Sequence, residues 1–382
     1  MLTTEEAARR LGVKVPTLYA YVSRGLLESH RDPAARGSLF DLADVEALAT
    51  RSRGGRQTAT RLATITTAVT QLHQELGPLY RGQRATELAT RAGFEEVAEL
   101  LWQVEPEEGG DWRPPELGPC PLVQTLDRMR WALVVCGAGD PLRSDLRPVA
   151  VARAARRSAA ALVAAVGPDP AEDRDRDASI AARLAARLAP SSGAVPEDAV
   201  NAALVLLADH ELATSTMAVR VAASVRADPY DALLAGLATL AGPLHGGASQ
   251  MAYELLVVAE RDGAARALND VLREHGRLPG FGHTVYRSGD PRYAALLALA
   301  EPLLGDDQRA VLHEVIALAA AHDVPLPNCD LALGALSWGT GMPPDTGRTI
   351  FAVARVAGWA AHYMEELTER PLRFRARAVY SV

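Results

Sequence analysis

The sequence predicts a mostly helical protein, with a large all-α body preceded by a small N-terminal helix-turn-helix unit. Three observations point there. Alanine and leucine are abundant, aromatics make up only 5%, and β-branched runs are few, a composition that favours helix. Residues 94–102 (FEEVAELLW) space apolar groups at helical intervals. The first fifty residues hold two short helical segments separated by a tight Gly-containing turn. At 382 residues the chain is too long for one ordinary core and implies two or more domains.

The first helix starts at Thr3, which has capping-box spacing to Glu6. Ala7, Ala8 and Leu11 form its apolar face, and Gly12 ends it. Residues 15–22 (VPTLYAYV) open a second helix, with Pro16 in the first turn and Gly25 at the end. Leu18, Tyr19 and Tyr21 read as core or groove-facing. Residues 28–39 read as loop, and a third helix is expected at about 41–49. This unit, residues 1–50, resembles the winged helix-turn-helix domains of the MerR and excisionase type. Residues 51–57 (RSRGGRQ) form a polar linker, and residues 58–382 form the body. Pro- and Gly-rich breaks fall near 105–120, 137–148 and 190–196, and 169–177 (DPAEDRDRD) reads as a solvated loop. No repeat of solenoid period is present.

The formal net charge of -7 excludes a general polyanion binder. In the N-terminal unit Arg9, Arg10, Lys14, Arg24, Arg31 and Arg36 only modestly outnumber the acids. DNA is therefore a partner for residues 1–50 only if a dimer presents two copies. Cys120, Cys136 and Cys329 are far apart with no CxxC pair. They give neither a disulfide framework nor a metal site and fit a reducing cytoplasm. The start MLTTEE lacks the features of a secretion signal, and apolar stretches are broken before a membrane-spanning length.

Three turns rich in Gly and Pro carry ionisable groups: 242–248 (GPLHGGA), 279–292 (PGFGHTVYRSGDPR) and 327–330 (PNCD). Glycine beside an ionisable group lets backbone approach a ligand closely, and functional groups on loops held by a rigid scaffold are a common active-site arrangement. Singly, each turn is most simply a capped turn or a satisfied core histidine. Three in one helical chain shift the balance towards a site.

These segments, in this order, resemble the signature segments of the citrate synthase family. So do 351–362 (FAVARVAGWAAH), 79–82 (LYRG) and the 94–102 helix. The resemblance covers roughly residues 57–382. It implies the citrate synthase fold, with a large helical domain and a small mobile one at about 248–345. It implies an acyltransferase that condenses acetyl-CoA with oxaloacetate and hydrolyses citryl-CoA to citrate, with no cofactor beyond the co-substrate acetyl-CoA. By the resemblance, Asp330 is the base that deprotonates the acetyl methyl group. His245 hydrogen-bonds the thioester oxygen, and His283 polarises the oxaloacetate carbonyl. His210, Arg292, Arg355 and Arg375 bind oxaloacetate, and Arg375 reaches into the neighbouring subunit's site of a homodimer. Gly280, Gly282, Arg287 and Asn328 are expected coenzyme A contacts.

The chemistry fits the set. A methyl beside a thioester is a very weak acid, so a base needs a donor for the developing enolate oxygen. Guanidinium groups suit a dianion. His275, His313, His322 and His362 have no motif role and read as structural or exposed. Leu207, Ala213, Ser249 and Ala376 depart from the family pattern and bear on substrate choice and turnover. Two other functions stay open: a 2-methylcitrate synthase using propionyl-CoA, and a DNA-binding regulator with a metabolite-sensing body.

Overall fold

The computed structural model describes residues 2–11, 13–23, 27, 29–31, 38–41, 44–45, 64–105, 112–113, 115–167, 177–190, 195–242 and 245–375. The expected linker 51–57 and most of the charged run 169–177 lie outside these residues. The chain divides into two compact units, Met1–Thr66 and Thr67–Val382.

In the first unit α1 (Thr4–Leu11) and α2 (Val15–Ser23) form the expected helix pair. The capping box is present: Thr3 N donates to Glu6 Oε2 at 2.9 Å, and Glu6 N donates to Thr3 Oγ1 at 3.4 Å. Ala7, Ala8, Leu11, Leu18, Leu27, Phe40 and Val45 make a separate small core. Leu18 is buried, whereas Tyr19 is largely exposed. The segment read as loop carries β2 (His30–Arg31) and β3 (Ser38–Phe40). These pair antiparallel with each other and, through β3, with β1 (Leu2–Thr3). Strands of two or three residues lack the length to show alternation, so the sequence gives no period to read. Only residues 44–45 of the expected third helix are described.

The second unit opens with a small antiparallel sheet, β4 (Thr70–His73), β5 (Gly77–Tyr80) and β6 (Gln83–Arg84). This sheet was not expected. It anchors Tyr80, whose single hydroxyl proton has the carbonyls of Val205, Leu206 and Asp209 within reach, Val205 the nearest at 3.0 Å. Fourteen α-helices and one 3-10 turn follow among the described residues. The first eight are α3 (Ala85–Arg91), α4 (Phe94–Trp102), α5 (Thr125–Ala138), α6 (Pro148–Ala164), α7 (Ile180–Leu188), α8 (Glu197–Leu207), α9 (Thr214–Ser224) and α10 (Pro229–Leu240). Then come α11 (Ala248–Asp262), α12 (Ala264–His275), α13 (Pro291–Ala300), the 3-10 turn Glu301–Leu303, α14 (Asp306–Ala321), α15 (Cys329–Gly339) and α16 (Thr346–Leu367).

Helix α16 is apolar almost all round and is buried along most of its length, as a central helix must be. It packs against α4, α6, α8, α9 and α10. This main core runs from Val69 to Met364. A second apolar cluster joins α11, α12, α14 and α15 between Ala252 and Trp338. Helices α11 and α15 approach closely at Gly334, where a Cβ would sit 2.8 Å from Tyr253 N. Among the described residues no helix is long and apolar enough to cross a membrane, and no group of three His, Cys, Asp or Glu could hold a metal.

Candidate active site

Two of the functional side chains stand at the same position in two helix starts. Asp290 caps α13 by accepting from Arg292 N, and Pro291 fills the first helical position. Asn328 caps α15 by accepting from Asp330 N at 2.9 Å. Each cap therefore fixes the residue two positions on: Arg292 in one helix, Asp330 in the other. A local pairing joins the two starts. Phe281 bridges to Pro327, Gly282 N donates to Leu326 O, and Asn328 N donates to Gly280 O. Asn328 Nδ2 also donates to Gly282 O at 2.7 Å. Gly280 sits at φ +80°, with its Cβ position 2.8 Å from Leu331 Cβ, so only glycine fits without displacement. Gly282 is also left-handed, at φ +75°.

This pairing brings His283 beside the start of α15. His283 Nδ1 accepts from Val285 N at 3.0 Å and from Tyr286 N at 3.3 Å. The ring proton therefore resides on Nε2, which is left to donate. Burial, helped by the Arg292 charge, pulls His283 down to about 4, so the ring is neutral. Its ring lies 5.1 Å from that of His210. Burial, then Arg292, Arg355 and His283, hold His210 well below the usual imidazole value.

His245 lies between α10 and α11. Its Nε2 is 2.8 Å from Ser215 Oγ, and Ser215 N also points at it at 3.4 Å. Trp359 Nε1 donates to the same Ser215 Oγ. The serine hydroxyl is thereby free to donate to His245, which puts the His245 proton on Nδ1. Burial and then Arg355 lower His245. Burial pushes Asp330 up to about 6; Arg292 and Arg355 oppose this and Asp290 adds to it. The two arginines tie the cluster together. Arg292 acts on His210, His283 and Asp330, and Arg355 acts on His210, His245 and Asp330.

Arg292 is buried and held bidentately by Asp290, at 3.0 and 2.8 Å. Arg355 is buried too, with Nε donating to Leu207 O at 2.8 Å. Its Nη1 has no hydrogen-bond partner among the described residues. A buried guanidinium N–H left unpaired is costly unless an anion completes it. Leu207, a departure from the family pattern, contributes through its backbone carbonyl, which any residue supplies.

The structure brings His210, His245, His283, Arg292, Asp330 and Arg355 to one place. It leaves Arg287 and Arg375 exposed, outside the cluster. Arg375 follows a strap on α9, where Leu372 N donates to Ser224 O. Asn328 is buried with its carbonyl and an amide N–H used inside the protein, where it staples the two turns together. Ser215, Tyr286 and Trp359 received no role from the sequence. Ser215 lies outside every quoted motif, and Trp359, though within 351–362, meets it only through the fold. His362, read as structural or exposed, is buried and accepts from Arg220 Nη1 at 2.9 Å. Its Nε2 faces Asp209 Oδ2 at 3.3 Å.

The citrate synthase C-terminal domain family matches residues 123–377, and a helix-turn-helix domain family matches residues 1–53. A 2-methylcitrate synthase from Mycobacterium tuberculosis is 30% identical over 348 residues, covering 80% of this chain and 86% of that protein. The chain belongs to the citrate synthase family. A citrate synthase of Dictyostelium discoideum is 36% identical over 193 residues, 48% of this chain. There the chain spans only 38% of the relative's length. The fold of the family is also seen in the solved citrate synthase of Thermoplasma acidophilum, a ternary complex with carboxymethyl coenzyme A and oxaloacetate. It has a TM-score of 0.69 and 24% identity, covering 87% of this chain and 96% of that one.

Proposed function

We propose that this chain condenses acetyl-CoA with oxaloacetate and hydrolyses the resulting thioester to citrate and coenzyme A. The observation that carries the reading is the pairing of a carboxyl held at about 6 with two neutral imidazoles, each with one ring nitrogen engaged as an acceptor by the protein and the other left as a donor. Asp330 removes a proton from the methyl carbon. His245 donates through Nδ1 to the thioester oxygen, so the enolate forms against a fixed dipole rather than in water. The nucleophilic carbon attacks the ketone of oxaloacetate while His283 Nε2–H donates to its oxygen. Arg292, Arg355 and His210 hold the carboxylates, and Arg375 completes the site of the other subunit in a homodimer. The cluster 252–338 is the mobile small domain, closing over bound oxaloacetate to build the coenzyme A site. Asn328 acts by positioning Asp330.

Propionyl-CoA is the second acyl donor to test, supported by the likeness to the mycobacterial 2-methylcitrate synthase. One methylene changes selectivity by only about 1–3 kcal/mol. A thiol-release assay with oxaloacetate and each acyl-CoA decides between them. No thiol release with either would refute the reading. The N-terminal unit adds duplex DNA as a proposed partner, through two copies on the dimer. An intact acid–base set speaks against a body that only senses metabolites. The three free cysteines support placing the protein in a reducing cytoplasm.

A further inference from the structure

One side chain touches three members of the cluster and takes no part in the reaction just described. The Tyr286 hydroxyl lies 3.0 Å from His210 Nε2. Its ring stacks on His283, with centroids 4.6 Å apart and planes at 23°. The Arg292 guanidinium lies over the same ring, 5.4 Å from its centroid. Tyr286 is buried, and its backbone N–H also donates to His283 Nδ1. We propose that Tyr286 is the positioning residue of the oxaloacetate pocket, fixing the tautomer of His210 with its hydroxyl and the planes of His283 and Arg292 with its ring.

In this arrangement the Tyr286 O–H donates to His210 Nε2, which places the ring proton on Nδ1. Burial keeps the phenol protonated. The groups acting on His210 are His283, Tyr286 and Arg292 from the 283–292 segment and Arg355 from α16. Among these only Tyr286 bonds the ring nitrogen directly. The ring contacts act separately: stacking on His283 and a cation over an aromatic face each restrict a side chain that must hold one angle.

The inference rests on the proposed reaction, and its test separates the two. Tyr286→Phe removes only the hydroxyl. The KM for oxaloacetate should rise about tenfold, the size of one lost hydrogen bond, with the KM for acetyl-CoA within about twofold. Tyr286→Leu also removes the ring and should lower kcat a further ~100-fold. A merely structural residue would instead lower thermal stability and scale all constants together. Histidine ring ¹⁵N spectra give a readout that needs no turnover. In Tyr286→Phe the His210 signals should shift towards a mixed tautomer. Unchanged His210 signals, or an unchanged KM for oxaloacetate, would overturn the proposal while leaving the synthase reading intact. Absence of thiol release by the parent protein sinks the synthase reading and leaves the spectral comparison to decide for Tyr286.

Discussion

A carboxylate that must pull a proton from carbon has to be ionised yet poorly solvated, and Asp330 is placed between those demands. Burial raises it to about 6, and Arg292 and Arg355 keep it from rising further. Activity should therefore fall as pH drops through about 6 and level off above it. His283, at about 4, stays neutral across that range. A pH profile of kcat with a single acidic limb checks this. Asp330→Asn should lower kcat by about 10²–10⁴-fold, the usual contribution of a general base. The same variant should be more stable at pH 7.5. A native carboxyl raised above its unfolded value costs stability that builds as pH rises from the unfolded value and is complete above the native one. We expect a rise in Tm of about 2–4 °C, vanishing below about pH 4, where both forms are neutral. An unchanged or lower Tm at pH 7.5 would contradict the strained carboxylate. Asp330, His245 and His283 stood out as candidates through their motifs. Ser215 did not, because its contact with His245 spans thirty residues and carries no spacing of its own.

At the scale of elements, two helix starts do the positioning, and both motifs are caps. DPR and NCD each place a side-chain acceptor two residues before the functional group. Gly280→Ala tests how far the active site depends on the turn packed against α15. It forces a left-handed residue and a Cβ against Leu331. The expected cost is about 1–3 kcal/mol of stability, with kcat falling more than the KM for either substrate, because Asp330 shifts with the helix start. Thermal melts and steady-state kinetics measure both. The helices read from the sequence, Thr4–Leu11, Val15–Ser23 and Phe94–Trp102, were legible because even two turns carry apolar spacing and end signals in contiguous residues. The two small sheets were not, since their strands are two to four residues long and owe their pairing to the packing of neighbours.

At the scale of the molecule, the N-terminal unit has its own small core, and the catalytic set lies wholly in residues 67–382. A chain beginning at residue 64 should retain kcat/KM within about twofold of full length. A loss beyond tenfold would mean that the first unit contributes to the site. Arg375 offers a test of the dimer. Arg375→Ala and Asp330→Ala should each be inactive alone. Refolded together in equal amounts they should recover about a quarter of parental activity, since half the dimers are mixed and each mixed dimer has one complete site. Recovery of none would place Arg375 outside the neighbouring site.

Residue order alone determined the helical body and the N-terminal helix pair, and it put forward the candidate base, the two donor histidines and the arginine clamps. These depend on local period, on caps and on short motifs, all of which are written in contiguous residues. Tertiary structure alone decided which ring nitrogen of His245 and His283 the protein engages, that Arg355 Nη1 lacks a partner among the described residues, and that Asp330 is raised. Those properties come from hydrogen bonds and burial between segments tens to hundreds of residues apart, which no local pattern encodes.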